Sequence, residues 1–300
     1  MDTSITFSNF TEILREMIQE ELGEEYEIEI KEVRKNNGLE LVGMVAKKKN
    51  CNTSPAIYIN DYYKEGITLA EIETVAGSIC KDVQQSEFDE TIDLSGFLDF
   101  KKARFNLAFK LIHTEQNKDL LTTIPHRPFL NLAITYYYAV NEAPFHGNAS
   151  ILIGNNHMEQ WHTNEEELFQ AAQQNTPLLL PWKMDNMETV MEELLEIEKE
   201  DSNPTFPMYV LSNQQKLLGA ACLLYPGVLQ QCAEELNGNF YVLPSSIHEV
   251  ILMPEDKCTC ADELIDIVTE INHTQVAPDE VLADSVYFYN SEDDKLVQLC

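Results

Sequence analysis

Apolar positions along the first hundred residues change period in a way that reads as alternating helices and strands. Phe10, Ile13, Leu14 and Ile18 recur at helical spacing, and Gly23 suits a helix end, so the pattern predicts a helix over residues 8–22. Tyr26, Ile28 and Ile30 then alternate with Glu27, Glu29 and Lys31, which predicts a strand with one buried face. Asn36-Asn37-Gly38 is a hairpin turn signal, because Asn and Gly accept positive φ angles. A returning strand is predicted over 39–46 and a third over 56–60. A helix over 68–83, capped by Thr68, completes an α-β-β-β-α unit.

Residues 84–99 are acidic and lack a period, and they mark a boundary between units 1–97 and 98–300. Beyond it the pattern predicts strands over 103–112, 131–140 and 149–155. Between the first two, Ile124-Pro125-His126-Arg127-Pro128 must be extended, since each proline biases its predecessor out of the α region. Helices follow over 163–174 and 186–199, the first headed by Thr163 with Glu166 placed for a capping box. The charged, proline-bearing segment 201–207 is a candidate sub-boundary near 200–207. After it the pattern predicts strands at 208–211, 219–224, 240–243, 247–253 and 285–289, with helices at 228–236 and 261–271. The fold class expected is α+β, with mainly antiparallel sheets and flanking helices in two packed units, because many connections are too short for parallel crossovers.

Charge narrows the function classes. The chain has 51 Asp and Glu against 20 Lys and Arg, a formal net charge of −31. By successive hundreds the acidic and basic counts are 21 and 9, 14 and 8, then 16 and 3. Such a field repels nucleic-acid and membrane phosphates and attracts basic proteins. The expected role is therefore an acidic binding or regulatory protein that engages a basic protein partner, with the face supplied mostly by the last third. The start of the chain lacks a basic region followed by an apolar one, and the longest near-apolar run, 217–225, is about half a bilayer span. These features predict a cytoplasmic protein. The seven cysteines, an odd number, fit reduced thiols in that compartment.

Few residue patterns suggest chemistry. Ser245, Ser246 and His248 place hydroxyls two or three residues from an imidazole, and with Asp284 they form the alternative reading, a hydrolase or transferase with a Ser/His site. If 247–253 is a strand, Ser246 and His248 share a face about 7 Å apart by Cα. The Gly-x-Ser-x-Gly elbow is missing. A tight turn with a serine bonding the backbone is the competing description. His157 and His162 are five apart, which does not match two ligands on one helical face. His126 lies between two prolines with no acidic or cysteine neighbour. Cys258-Thr259-Cys260 lacks the two-residue spacer of zinc knuckles. There is no Gly-x-Gly, so no cofactor is expected. Lys31, Arg34, Lys35 and Lys47 to Lys49 form the one basic cluster, read as a charged strand edge that blocks edge-to-edge pairing.

Several segments also carry a resemblance: KNNGLELVGMV (35–45), SPAIYINDYY (54–63), IPHRPFLNLAI (124–134), LGAACLLYPGVL (218–229), YVLPSSIHEVILMP (241–254) and NHTQVAPDEVLADSVYFY (272–289). In this order, over nearly the whole chain, they resemble a domain-of-unknown-function family of gut Gram-positive bacteria, often carried on mobile elements. The resemblance implies one architecture and a bacterial cytoplasmic setting. It carries over no catalytic residue.

Overall fold

The computed structural model describes residues 5–85, 93–140, 149–195, 208–244, 246–255 and 261–299. The chain forms two compact units, one of Met1–Lys35 and Leu39–Leu94, the other of Asn36–Gly38 and Ser95–Cys300.

In the first unit, Thr6 caps α1 (Phe7–Leu22) by accepting from the Asn9 N–H at 3.3 Å. Phe10, Leu14, Ile18 and Leu22 recur every four residues and are all buried. Strands β1 (Tyr26–Arg34) and β2 (Glu40–Lys48) pair antiparallel from Tyr26↔Lys48 to Arg34↔Glu40. The turn between them holds Asn37 at φ 59° and Gly38 at φ 70°, as the Asn-Gly signal requires. Strand β3 (Ala56–Tyr58) adds to β2, giving the order β1-β2-β3. Helix α2 (Leu69–Gln85) starts on a reciprocal capping box: Thr68 N–H donates to Glu71 Oε2 at 2.8 Å, and Glu71 N–H donates to Thr68 Oγ1 at 3.3 Å. Its Ile72, Ala76, Ile79 and Val83 share a core with α1 and with Met44 of β2.

The second unit begins with short helices α3 (Ser95–Leu98) and α4 (Phe100–Ala103), then a 3-10 turn at Arg104–Asn106. The strand expected over 103–112 therefore starts four residues late, as β4 (Leu107–His113). The cause is Asp99, which caps α4 by accepting from Lys101 N–H at 3.0 Å. After α5 (Lys118–Leu121) come β5 (His126–Phe129), β6 (Leu132–Val140) and β7 (Ala149–Leu152). Strand β6 is central: β4 pairs along one edge, and β5 and β7 share the other. All nine of its residues are buried.

The strand expected over 149–155 stops at Leu152, and a helix unseen in the pattern, α6 (Asn155–Trp161), follows. Helix α7 (Glu165–Leu179) is capped by Asn164, which accepts from Glu167 N–H at 3.1 Å. The cap thus sits one residue beyond the expected Thr163, whose hydroxyl instead donates to Glu167 Oε2 at 2.6 Å. Strand β8 (Trp182–Asn186) occupies a stretch without a predicted element and precedes α8 (Met187–Leu195).

Strands β8, β9 (Tyr209–Asn213), β10 (Phe240–Leu243), β11 (Val250–Pro254), β12 (Tyr287–Asn290) and β13 (Lys295–Gln298) form one antiparallel sheet in the order β13-β12-β10-β11-β9-β8. Residues on the two sides of 201–207 thus pair directly, through β8 and β9. The strand expected at 219–224 is a 3-10 helix, Gly219–Leu224. Its apolar run is buried from Gly219 through Leu223, so burial gave it the composition of an inner strand. Helices α9 (Val228–Leu236) and α10 (Ala261–Gln275) flank the sheet's segments in sequence. Leu264 and Val268 of α10 pack on Tyr241, Leu243 and Val286. The architecture is α+β, with three antiparallel sheets and flanking helices. Among the described residues, no helix is long and apolar enough to cross a membrane.

Candidate functional site

Ser246 and His248 lie in the irregular segment before β11, because the strand begins at Val250 rather than at 247. They do not share a strand face. Ser246 Oγ accepts from the His248 backbone N–H at 3.0 Å, closing a tight turn, while Ser246 itself bridges to Val281. The imidazole points elsewhere. Its Nδ1 accepts from Leu218 N–H at 3.2 Å, and its Nε2 stands 3.5 Å from Glu280 Oε1. A neutral imidazole has one acceptor and one donor nitrogen, so with Nδ1 accepting the proton sits on Nε2, the nitrogen that faces Glu280. No nitrogen remains to take a proton from a serine hydroxyl.

The surroundings hold that turn tightly. Ser212 Oγ donates to His248 O at 2.7 Å. A Cβ on Gly219 would lie 2.2 Å from Ser212 Oγ, 2.5 Å from His248 O and 2.8 Å from Asn213 N, so only glycine fits this approach. Leu218 just before it is held at φ 54°. Glu249 is partly buried, and that burial raises its carboxyl above the usual range.

Asp284 is not part of this arrangement. Its Oδ1 accepts from Asn272 Nδ2 at 2.8 Å. Its charge acts on His113, where burial pushes the imidazole down and Asp284 opposes that shift. Ser245 lies outside the described residues. The Ser246, His248 and Asp284 arrangement expected from sequence is therefore not brought together; the imidazole's carboxylate is Glu280, 32 positions along the chain. No spacing rule links residues that far apart, so sequence reasoning had no signal for it.

His157, His162 and His126 sit in packing and capping positions. His157 Nδ1 accepts from Gly154 N–H at 3.0 Å, its ring stands 5.1 Å from Phe97 and 6.0 Å from Trp161, and burial lowers its pKa. His162 ends α6 in the left-handed conformation, at φ 52°. His126 Nδ1 lies 3.2 Å from Ile124 O. Cys222 and Cys232 are buried, and burial pushes both thiols up to about 12, far from a reactive thiolate. Cys258, Cys260 and His146 lie outside the described residues. Among those described, no three His, Cys, Asp or Glu side chains gather where they could hold a metal ion. In the basic cluster, Lys31 pairs with Glu29 at 2.8 Å and Lys35 lies 4.4 Å over the Tyr58 ring, on and beside the edge strand β1.

Acidic helix faces differ more sharply than any of these. At the start of α7, Arg127 grips Glu165 with two bonds, Nε to Oε1 at 3.1 Å and Nη2 to Oε2 at 2.8 Å, and reaches Glu166 Oε2 at 2.5 Å. Its guanidinium lies 3.9 Å over the Phe169 ring, and the buried Tyr136 hydroxyl donates to Glu165. Arg127 holds the Glu166 carboxyl below its ordinary range, and burial pushes the Tyr136 hydroxyl up. On α10, Asp262, Glu263, Asp266 and Glu270 are exposed, and none has a cationic partner among the described residues. Beside them Ile267 and Ile271, one turn apart, are 48% and 37% exposed.

No curated protein and no solved structure matches this chain. The model of a family of unknown function, DUF5688, matches residues 7–291, and the chain belongs to that family.

Proposed function

We propose that this chain is a binding module that engages a basic protein partner, with the outward face of α10 as the contact. The observation that carries the reading is the contrast between carboxylates with internal partners and those without. Where α7 presents three glutamates, each is bonded within the fold, Glu165 and Glu166 by Arg127 and Glu167 by the Thr163 hydroxyl. Along α10 the carboxylates line a helix face with no such partner among the described residues. Unneutralised like charges on one face repel each other, and a cationic partner relieves that repulsion. The accompanying setting is a bacterial cytoplasm, where the cysteines stay reduced.

The test separates a local contact from the general field. The full chain is titrated with small basic proteins at about 50 mM and about 500 mM salt, which changes screening several-fold. The variant Glu263→Gln/Asp266→Asn/Glu270→Gln removes three of 51 carboxylates, taking the net charge from −31 to −28. A delocalised attraction would hardly notice that change. The proposal expects at least one basic protein to bind at low salt, to dissociate at high salt, and to lose about tenfold or more in affinity for the triple variant, equivalent to 1.4 kcal/mol. Equal binding of variant and wild type, or no salt-sensitive binding, sinks it.

A further inference from the structure

We infer that the segment docking on α10 is a cationic amphipathic helix of the partner, lying alongside α10 against Ile267 and Ile271; this rests on the reading of the chain as an anionic binding module. At 3.6 residues per turn, Ile267 lies about 60° around the helix from the buried Leu264, and Ile271 about 60° from the buried Val268, both on the same side. The apolar surface of α10 therefore does not end at the core but continues onto one flank. There it meets Glu263 and Glu270, with Asp266 farther round. A single exposed isoleucine needs no account, but two in register, bordered by carboxylates, make a stripe with a charged margin.

The chemistry of that flank selects the occupant. Backbone groups within the body of a helix bond to one another, so a strand partner would find no free N–H or C=O ladder there. What α10 offers is side chains at helical spacing, and a second helix with aliphatic residues at i, i+3 and i+4 matches it. Lysine or arginine beside that stripe would meet Glu263 and Glu270. A second copy of the chain is the wrong occupant for this face. Packing α10 on its own twin would set Glu263, Asp266 and Glu270 against another anionic helix.

Two synthetic peptides of about 20 residues, long enough for a stable bound helix, decide the matter. They share one Leu/Lys composition; one is ordered as an amphipathic helix and the other is scrambled to break the period. Binding to the full chain is followed by fluorescence anisotropy at low and high salt, with circular dichroism confirming that each variant is folded. The amphipathic peptide should bind about tenfold or more tightly than the scrambled one, a difference of 1.4 kcal/mol. Ile267→Gln/Ile271→Gln should erase that preference, and Glu263→Gln/Glu270→Gln should weaken binding at low salt and so reduce the salt dependence. Equal binding of both peptides that still falls in the glutamate variant overturns the helix inference while leaving the anionic module intact. Salt-sensitive binding by neither peptide removes both readings. A dimer in sedimentation that the isoleucine variant dissociates would make a second copy the occupant and overturn the inference.

Discussion

Helix α7 opens with Glu165, Glu166 and Glu167, and α10 carries Asp262, Glu263, Asp266 and Glu270 along its first two and a half turns. As strings of letters they look alike. In the fold, α7 lies where Arg127 of β5 and Tyr136 of β6 meet its first turn, and those glutamates become part of the structure. Helix α10 packs its apolar stripe on β10 and leaves its carboxylates to solvent. The difference teaches that a count of acidic residues does not locate an anionic surface. What locates it is which carboxylates lack an internal cation.

This comparison makes predictions that differ in size. Arg127→Ala should have the largest effect: it leaves the Glu165 carboxylate in a partly buried site without its cation and should cost about 3 kcal/mol in urea unfolding. A loss below about 1 kcal/mol would place the α7 pairs with ordinary surface ion pairs and erase the contrast. The loss should also depend on pH. Arg127 lowers the folded-state pKa of Glu166 from 4.5, so that contribution is present above the unfolded value and fades as pH falls through the folded one. The gap between wild type and Arg127→Ala should narrow below about pH 4.5. Tyr136→Phe keeps the ring and removes one donor to a carboxylate, and should cost about 1–2 kcal/mol in the same assay. On α10 the triple variant Glu263→Gln/Asp266→Asn/Glu270→Gln should change stability by no more than about 0.5 kcal/mol while affecting binding strongly. A large stability loss there would mean that these carboxylates have structural partners and that the two helices do not differ. The smallest change is expected for Ile267→Gln/Ile271→Gln, whose melting temperature should stay within about 1 °C of wild type.

Legibility followed the range of the interactions that form each element. Helix α9 and strand β10 match their predicted bounds, 228–236 and 240–243, because local period and the Asn237-Gly238 stop suffice. The capping box of α2 needs only Thr68 and Glu71, three positions apart. Strand β13 escaped notice because its four residues alternate weakly and it gains its place by pairing with β12. The Gly219–Leu224 segment misled for a stronger reason. Its apolar letters suit an inner strand, but its shape is set by backbone from β9 and from His248 closing on Gly219. At the Ser246–His248 turn, proximity in sequence suggested a hydroxyl–imidazole pair, while the imidazole is claimed by Leu218 and Glu280.

By itself the sequence determined the fold class, most elements and the net charge of −31, since periodicity, turn residues and ionisable groups act locally or simply add. Tertiary structure decided which carboxylates Arg127 neutralises, which nitrogen of His248 faces which partner, and which side of α10 remains in water. Each of those outcomes depends on groups tens of residues apart meeting within a few ångströms, and a pairwise energy that falls off with distance has no expression in linear spacing.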